Sequence, residues 1–167
     1  GAAWDFWHID DVCLIQRPFP LLQLVKTSQT ISDPINGSTD PYAIPGAYVE
    51  YRVTLENQGT GQVDSDSVVI TDGLPVGTAL FVDASGVDPV VFVDGPTPSG
   101  LTYNFATDVT FSNQLGGGGP YDYIPNPDTD GFDASVTGLR IAPSGTMNAA
   151  SGGNSPSFSV TLRIRIE

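Results

Sequence analysis

Ten residues, FSVTLRIRIE at Phe158–Glu167, alternate strictly between apolar and polar side chains. A period of two is the pattern of a β-strand with one buried and one solvent-facing side. A second run, YVEYRVTLEN at Tyr48–Asn57, repeats the alternation, with its apolar side chains at odd-numbered positions and charged or polar ones between them. These two stretches predict an all-β fold.

The composition supports the same fold class. The 167 residues include 19 glycines and 14 prolines, so about a fifth of the chain favours turns over regular elements. Of the 19 acidic residues, 16 are aspartate, which prefers turns and helix caps, and only three are glutamate. We therefore expect short strands joined by many turns, and no long helix.

Further short strands alternate with turns rich in Gly, Pro, Asn and Asp, at the spacing typical of an antiparallel β-sandwich. The predicted strands are Leu22–Thr30, Tyr48–Asn57, Asp66–Asp72, Ala79–Val82, Val90–Val93, Leu101–Phe105, Val109–Phe111, Asp133–Ile141 and Phe158–Glu167. This pattern predicts a sandwich over residues 21–167 that is complete without the residues before it.

The first 16 residues, GAAWDFWHIDDVCLIQ, have a different pattern from the predicted sandwich. Large apolar side chains occur at both even and odd positions, so a strand here needs cover on both faces. Arg17-Pro18-Phe19-Pro20 then forms a stiff linker, because its two prolines hold extended geometry and lack N–H donors. We divide the chain into an N-terminal strand with linker, 1–20, and a sandwich, 21–167. The apolar residues that we predict to form an interface are Trp4, Phe6, Trp7, Ile9, Val12, Leu14 and Ile15.

Two arrangements would bury this N-terminal strand. It folds back onto its own sandwich as an extra strand, or it adds to a neighbouring copy by β-strand addition, with the linker preventing self-insertion. The second arrangement is head-to-tail and does not close, so it generates a filament. The sequence therefore predicts a structural subunit whose partners are copies of itself. The alternative is a monomeric adhesive or carbohydrate-binding module of a larger surface protein.

Two corners of the chain carry a family resemblance. PGAYVEYRVTLENQG at Pro45–Gly59 and VVITDGLPVGT at Val68–Thr78 match the pattern P-G-x-x-V-x-Y-x-x-x-x-x-N-x-G followed by V-x-I-x-D-x-L-P-x-G. In this the chain resembles an Ig-like repeat module, a domain of unknown function, of prokaryotic cell-surface and secreted proteins. The resemblance implies an Ig-like sandwich, an extracellular or cell-surface location and a structural or adhesive role without catalysis.

The charge of the chain excludes several kinds of partner. A net charge of −13, with only six basic residues, argues against nucleic acid and anionic membranes. No run of 18 apolar residues is present, so we expect no membrane insertion.

Candidate chemistry is sparse. Asp128, Asp130 and Asp133 flank Gly131 and resemble part of a Ca²⁺ loop, although no glutamate follows to supply a bidentate ligand; the alternative is a solvated turn. The only histidine and the only cysteine, His8 and Cys13, have opposite strand parity and would point to opposite faces. We find no nucleophile, base and orienting group at compatible positions, so we do not expect an enzyme.

Overall fold

A computed structural model describes residues 17–167. Its regular elements are β1 (Leu22–Ser32), β2 (Tyr48–Asn57), β3 (Ile70–Gly73), β4 (Thr78–Phe81), β5 (Val90–Asp94), α1 (Phe105–Asp108), β6 (Val109–Ser112), β7 (Phe132–Asp133), β8 (Gly138–Ile141) and β9 (Ser157–Ile166). The strands pair antiparallel throughout. The predicted fold class, an all-β antiparallel sandwich, is confirmed.

The strands form two sheets of unequal width. The larger sheet has six strands in the order β1-β2-β9-β4-β7, with β5 also paired to β9, and the smaller sheet has three in the order β3-β8-β6. Side chains of both sheets form one core. Its completely or almost completely buried members include Leu80, Val90, Val136, Leu139, Ile141, Met147, Phe158, Val160, Leu162 and Ile164.

The alternation read from the sequence is observed in the two longest core strands. On β2, Val53 and Leu55 are buried, whereas Arg52 before them is exposed and Thr54 between them is half-buried. On β9, the even-numbered residues from Phe158 to Ile164 are buried. These strands pair from Tyr48 and Arg165 to Glu56 and Ser157, so their apolar faces form one continuous apolar surface of the core.

Three predicted strands differ from the structure. The strand predicted at Asp66–Asp72 begins only at Ile70, because Asp66 lies in a turn with a φ of +58° and its carboxylate accepts a hydrogen bond from the Gly145 N–H. Leu101–Phe105 is not a strand: the Asn104 side chain accepts a hydrogen bond from the Ala106 N–H and starts α1. Asp133–Ile141 is interrupted, because the Asp133 carboxylate accepts from the Ser135 N–H and turns the chain between β7 and β8. At Asn104 and Asp133 a short polar side chain bonds to the nearby backbone and competes with the β-ladder.

Asp33 organises the loop between β1 and β2. Its side chain is largely buried and accepts hydrogen bonds from the backbone N–H groups of Ile35, Asn36 and Tyr42, each at 2.6 Å. These bonds, that of Asn36 first, hold the pKa of Asp33 below its usual 3.8, although burial opposes them. The ionised form of Asp33 is therefore part of the folded loop.

The stability of the protein is expected to fall in acid. A carboxyl group whose pKa is lowered by folding contributes stability above its unfolded pKa and loses it as the pH falls through the folded pKa. We expect a melting temperature that is nearly constant from pH 7 to about 5 and decreases below about 4. Asp33→Asn should melt several degrees lower at pH 7 and show a smaller decrease in acid, measured by circular dichroism. If the melting temperature of Asp33→Asn decreases in acid as steeply as that of the parent, the assignment is wrong. Asp122→Asn, at an exposed aspartate, is the control.

The predicted N-terminal strand lies outside the described residues, as do His8, Cys13 and all seven predicted interface residues: Trp4, Phe6, Trp7, Ile9, Val12, Leu14 and Ile15. Among residues 17–167, no helix is long and apolar enough to cross a membrane.

Candidate assembly surface

β1 is the least buried strand of the larger sheet. It pairs with β2 from Leu22 to Ser32 and, among the described strands, with no other. Its first eight residues are exposed, including Leu24 at 53% and Val25 at 47% of their full area. A long edge strand with unpaired backbone groups and exposed apolar side chains is a site for β-strand addition.

Some of the exposed apolar side chains of β1 lie on the face of the sheet that is directed towards the core. Leu24 pairs with Leu55, and Lys26 with Val53, so the even-numbered residues of β1 share the inner face of the sheet with buried β2 residues. Among residues 17–167, the smaller sheet reaches this face through Asp72 at Lys26, while Leu22 and Leu24 remain exposed. Within residues 17–167, the sandwich therefore leaves part of the inner face of β1 exposed.

We call this uncovered side the side groove and define it by the inner-face residues Leu22, Leu24, Lys26, Ser28 and Thr30. At the Thr30 end it opens into a cavity of about 340 Å³. The cavity floor includes Val49, Tyr51, Ile164 and Ile166, and the turn from Pro75 to Thr78 overhangs it. The groove is thus apolar at its Leu22 end and ends in a cavity with an apolar floor.

An ion pair crosses the middle of the side groove. The Lys26 Nζ lies 2.7 and 2.6 Å from the two carboxylate oxygens of Asp72 on β3. It also lies 4.3 Å from the centre of the Tyr51 ring, a distance suited to a cation–π contact. The pair links the edge strands of the two sheets. The side chain of Lys26 is 32% exposed and that of Asp72 is 15% exposed.

The linker approaches β1 along the Asn57–Gly61 turn. The carbonyl oxygens of Phe19 and Leu21 accept hydrogen bonds from the N–H groups of Gly61 and Gln58, at 3.0 and 2.8 Å. Two bonded carbonyls two residues apart indicate extended backbone, as the prolines predicted. The linker therefore continues the line of β1 beyond the end of its pairing with β2.

Asn57 holds this arrangement together and is completely buried. Its Oδ1 accepts from the N–H groups of Leu21 and Gly59, at 3.1 and 3.0 Å, and its Nδ2 donates to the carbonyl oxygens of Gly61 and Asn148, both at 2.9 Å. Gly59 is required because a Cβ there would lie 2.3 Å from the backbone of Leu21 and Phe19. The N-x-G part of the sequence pattern thus positions the linker.

The three predicted calcium ligands do not converge. Asp128 lies 2.8 Å and Asp130 3.5 Å from the Arg165 guanidinium. Asp133 is buried and accepts hydrogen bonds from the Tyr123 hydroxyl and the Asn126 N–H, at 2.9 and 2.7 Å. Arg165 and these donors occupy the oxygens that a cation would need. Within residues 17–167, no three acidic, histidine or cysteine side chains are grouped as a metal site.

Sequence reasoning missed two parts of this surface. Asp72 lies in the quoted D-x-L-P-x-G pattern, but nothing in its spacing relates it to Lys26, 46 residues earlier. The exposure of Leu22 and Leu24 was missed because their alternation is the same as that of a covered strand. Asn57 could have been found, since the pattern itself singles out an asparagine two residues before a glycine.

Fold and surface together define the class: an antiparallel β-sandwich in which residues 17–167 leave Leu22 and Leu24 on the inner face of β1 exposed. Comparison of the chain with protein-family models, curated proteins and solved structures gives no match. The resemblance to the Ig-like surface-protein module therefore stays a prediction that rests on Pro45–Gly59 and Val68–Thr78.

Proposed function

We propose that this protein is an exported structural subunit that assembles at the cell surface by strand donation. Residues 1–16 of one copy add to the β1 edge and side groove of the next copy. The observation that carries the proposal is β1 itself, an 11-residue strand paired on one edge only among the described strands, with apolar residues left exposed on both of its faces.

The donor and the acceptor match in length and character. The apolar stretch Trp4–Ile15 spans 12 residues, close to the 11 of β1. Burial of a large apolar side chain contributes about 1.5–3 kcal/mol before the cost of ordering the chain. Seven such side chains in the donor give association a substantial driving force.

The direction of the linker favours donation to another copy over folding back. Phe19 and Leu21 are bonded to the Asn57–Gly61 turn, so the linker leads away from the β1 edge at the end of the sandwich. Pro18 and Pro20 resist a tight reversal here. Donation from each copy to the next is head-to-tail and continues as a filament.

The binding-module alternative has less support. A groove of about 260 Å³ on the outer face of the larger sheet is lined by residues including Glu50, Phe81, Asp88 and Arg163. The Phe81 ring is covered by the Arg163 guanidinium at 4.7 Å and by Phe132 at 5.3 Å between ring centres. A sugar-binding platform needs an open aromatic face, which Phe81 does not offer.

Removal of residues 1–16 is expected to abolish assembly and leave the sandwich folded. The full chain should form filaments by electron microscopy and high-mass species by light scattering, whereas the chain 17–167 should be a folded monomer. A synthetic peptide of residues 1–16 should bind the shortened chain and raise its melting temperature, because it binds only the folded state. A monodisperse, monomeric full chain would overturn the proposal.

A matched pair of variants locates the acceptor. Leu24→Asp places a charge in the side groove and should weaken assembly roughly tenfold or more, since a donated strand would bury it unpaired. Val93→Asp is the control, because Val93 is 51% exposed on β5 and lies outside the groove. Equal effects of the two variants on filament formation would argue against β1 as the acceptor.

A further inference from the structure

We propose that the donated strand runs antiparallel to β1 and places one acid of the adjacent pair Asp10 and Asp11 beside Lys26. This inference rests on the proposed strand donation and deepens it by naming the strand direction and two adjacent registers. It makes Lys26 the residue that selects the donor. Three observations support it: the surroundings of Lys26, the polarity along the groove, and the order of residues in the donor.

Lys26 is the only lysine of the chain and lies near the middle of β1. It is on the inner face, opposite the buried Val53, so a strand added at the β1 edge would remove much of its remaining contact with water. An ammonium group has three donors, and Asp72 provides the acceptors seen here. A donor strand therefore has to bring a further acceptor, or at least no second positive charge, to this position.

The side groove changes character on either side of Lys26. Leu22 and Leu24 precede it, and Ser28 and Thr30 follow it towards the 340 Å³ cavity. A matching strand needs an acid at its centre, aliphatic residues on the Leu22 side and a large side chain on the cavity side.

An antiparallel donor meets all three requirements. With Asp10 opposite Lys26, Val12 and Leu14 lie opposite Leu24 and Leu22, and Phe6 lies opposite Thr30 at the cavity. With Asp11 opposite Lys26, the corresponding residues are Cys13, Ile15 and Trp7. Both registers place an acid beside the lysine and apolar side chains beside the leucines.

A parallel donor fits less well. With Asp10 opposite Lys26, it places His8 opposite Leu24 and puts the aliphatic Val12 and Leu14 beside the hydroxyls of Ser28 and Thr30. Antiparallel pairing is also slightly more stable per residue, and it is the only pairing between the strands of this sandwich.

In this arrangement, Lys26 favours donor strands that carry an acidic residue opposite it on the β1 edge. An inward-facing lysine discourages unselective strand pairing, because an apolar donor would bury the Lys26–Asp72 ion pair and supply no acceptor for the third N–H of the ammonium group. The one donor aspartate that faces Lys26 supplies the acceptor for its ammonium group. Strands that carry no acid at that position are disfavoured at the same edge.

Disulfide formation in the full-length chain tests the register. Cys13 is the only cysteine, and in the proposed registers it lies opposite Gln23 or Leu24 of the next copy. Opposite residues of paired strands are about 4.5–5.5 Å apart at Cα, within the range of a disulfide. Gln23→Cys and Leu24→Cys should give a ladder of oligomers on non-reducing gels after mild oxidation, and Cys13→Ser should remove the ladder. Gln29 is the residue that a parallel strand would place opposite Cys13. Gln29→Cys should therefore give at least tenfold less disulfide-linked oligomer than Gln23→Cys or Leu24→Cys.

The possible outcomes distinguish an error in the proposed register from an error in the proposed strand donation. A ladder with Gln29→Cys alone overturns the antiparallel register and keeps the donation. Disulfides confined within single chains overturn donation between copies. Filaments by electron microscopy without a ladder for any variant overturn the register. Because residues 23, 24 and 29 are exposed, the variants should keep the melting temperature of the parent, and a melt of each checks this.

Discussion

Phe158→Ala is expected to lower the free energy of unfolding by about 3–5 kcal/mol, the usual cost of removing a buried phenylalanine ring. Phe158 is completely buried, and its ring stacks on Phe92 with 4.8 Å between centres. It lies on β9, which pairs with β2, β4 and β5 and so joins most of the larger sheet.

The loss is large relative to the stability of a domain, which is typically 5–15 kcal/mol. Urea unfolding followed by fluorescence and circular dichroism measures it. Phe19→Ala is the matched control, because Phe19 is 55% exposed and its loss should change stability by no more than about 0.5 kcal/mol. Similar midpoints for the two variants would mean that β9 does not hold the core.

Asn57→Ala is expected to cost about 3 kcal/mol of unfolding free energy, because each buried partner left without a hydrogen bond costs about 1–3 kcal/mol. The substitution removes four hydrogen bonds, those to Leu21, Gly59, Gly61 and Asn148. It should also release the linker, so that the Leu21 amide exchanges faster with solvent.

The matched control is Asn113→Ala, since Asn113 is exposed and its side chain bonds only to that of its neighbour Gln114 among the described residues. Urea unfolding gives the stability of both variants, and hydrogen exchange reports on Leu21. If Asn57→Ala unfolds at the parent midpoint, the buried amide does not organise the turn. Under the proposed function, the released linker should also weaken filament formation in the full chain.

Much of the fold could be read from local pattern. The strands at Tyr48–Asn57 and Phe158–Glu167 were found within one residue, because strict alternation over ten residues has no other good explanation. The errors occurred where a single polar side chain redirects the backbone, as Asn104 does at the start of α1. Such a bond depends on one residue and does not change the average pattern of its surroundings.

The candidate surface was only half visible in the sequence. The unusual composition of residues 1–16 predicted a segment whose apolar side chains need to be buried. The N-x-G pattern at Asn57–Gly59 was visible, but its role in positioning the linker was not inferred from it. Neither feature showed which surface of the sandwich could bury the apolar side chains of residues 1–16. Asp72 meets Lys26 only because two strands from different sheets come together at the same side of the sandwich.

The alternation of side chains by itself determined that this chain forms antiparallel strands with one buried face, since a period of two is a property of each strand alone. Only the tertiary structure decided that the rest of residues 17–167 leaves Leu22 and Leu24 on the inner face of β1 exposed. That outcome depends on the number of strands in each sheet, six against three, and on which strand lies at the edge. Strand count and strand order arise from pairing between distant segments, so no local stretch of sequence encodes them.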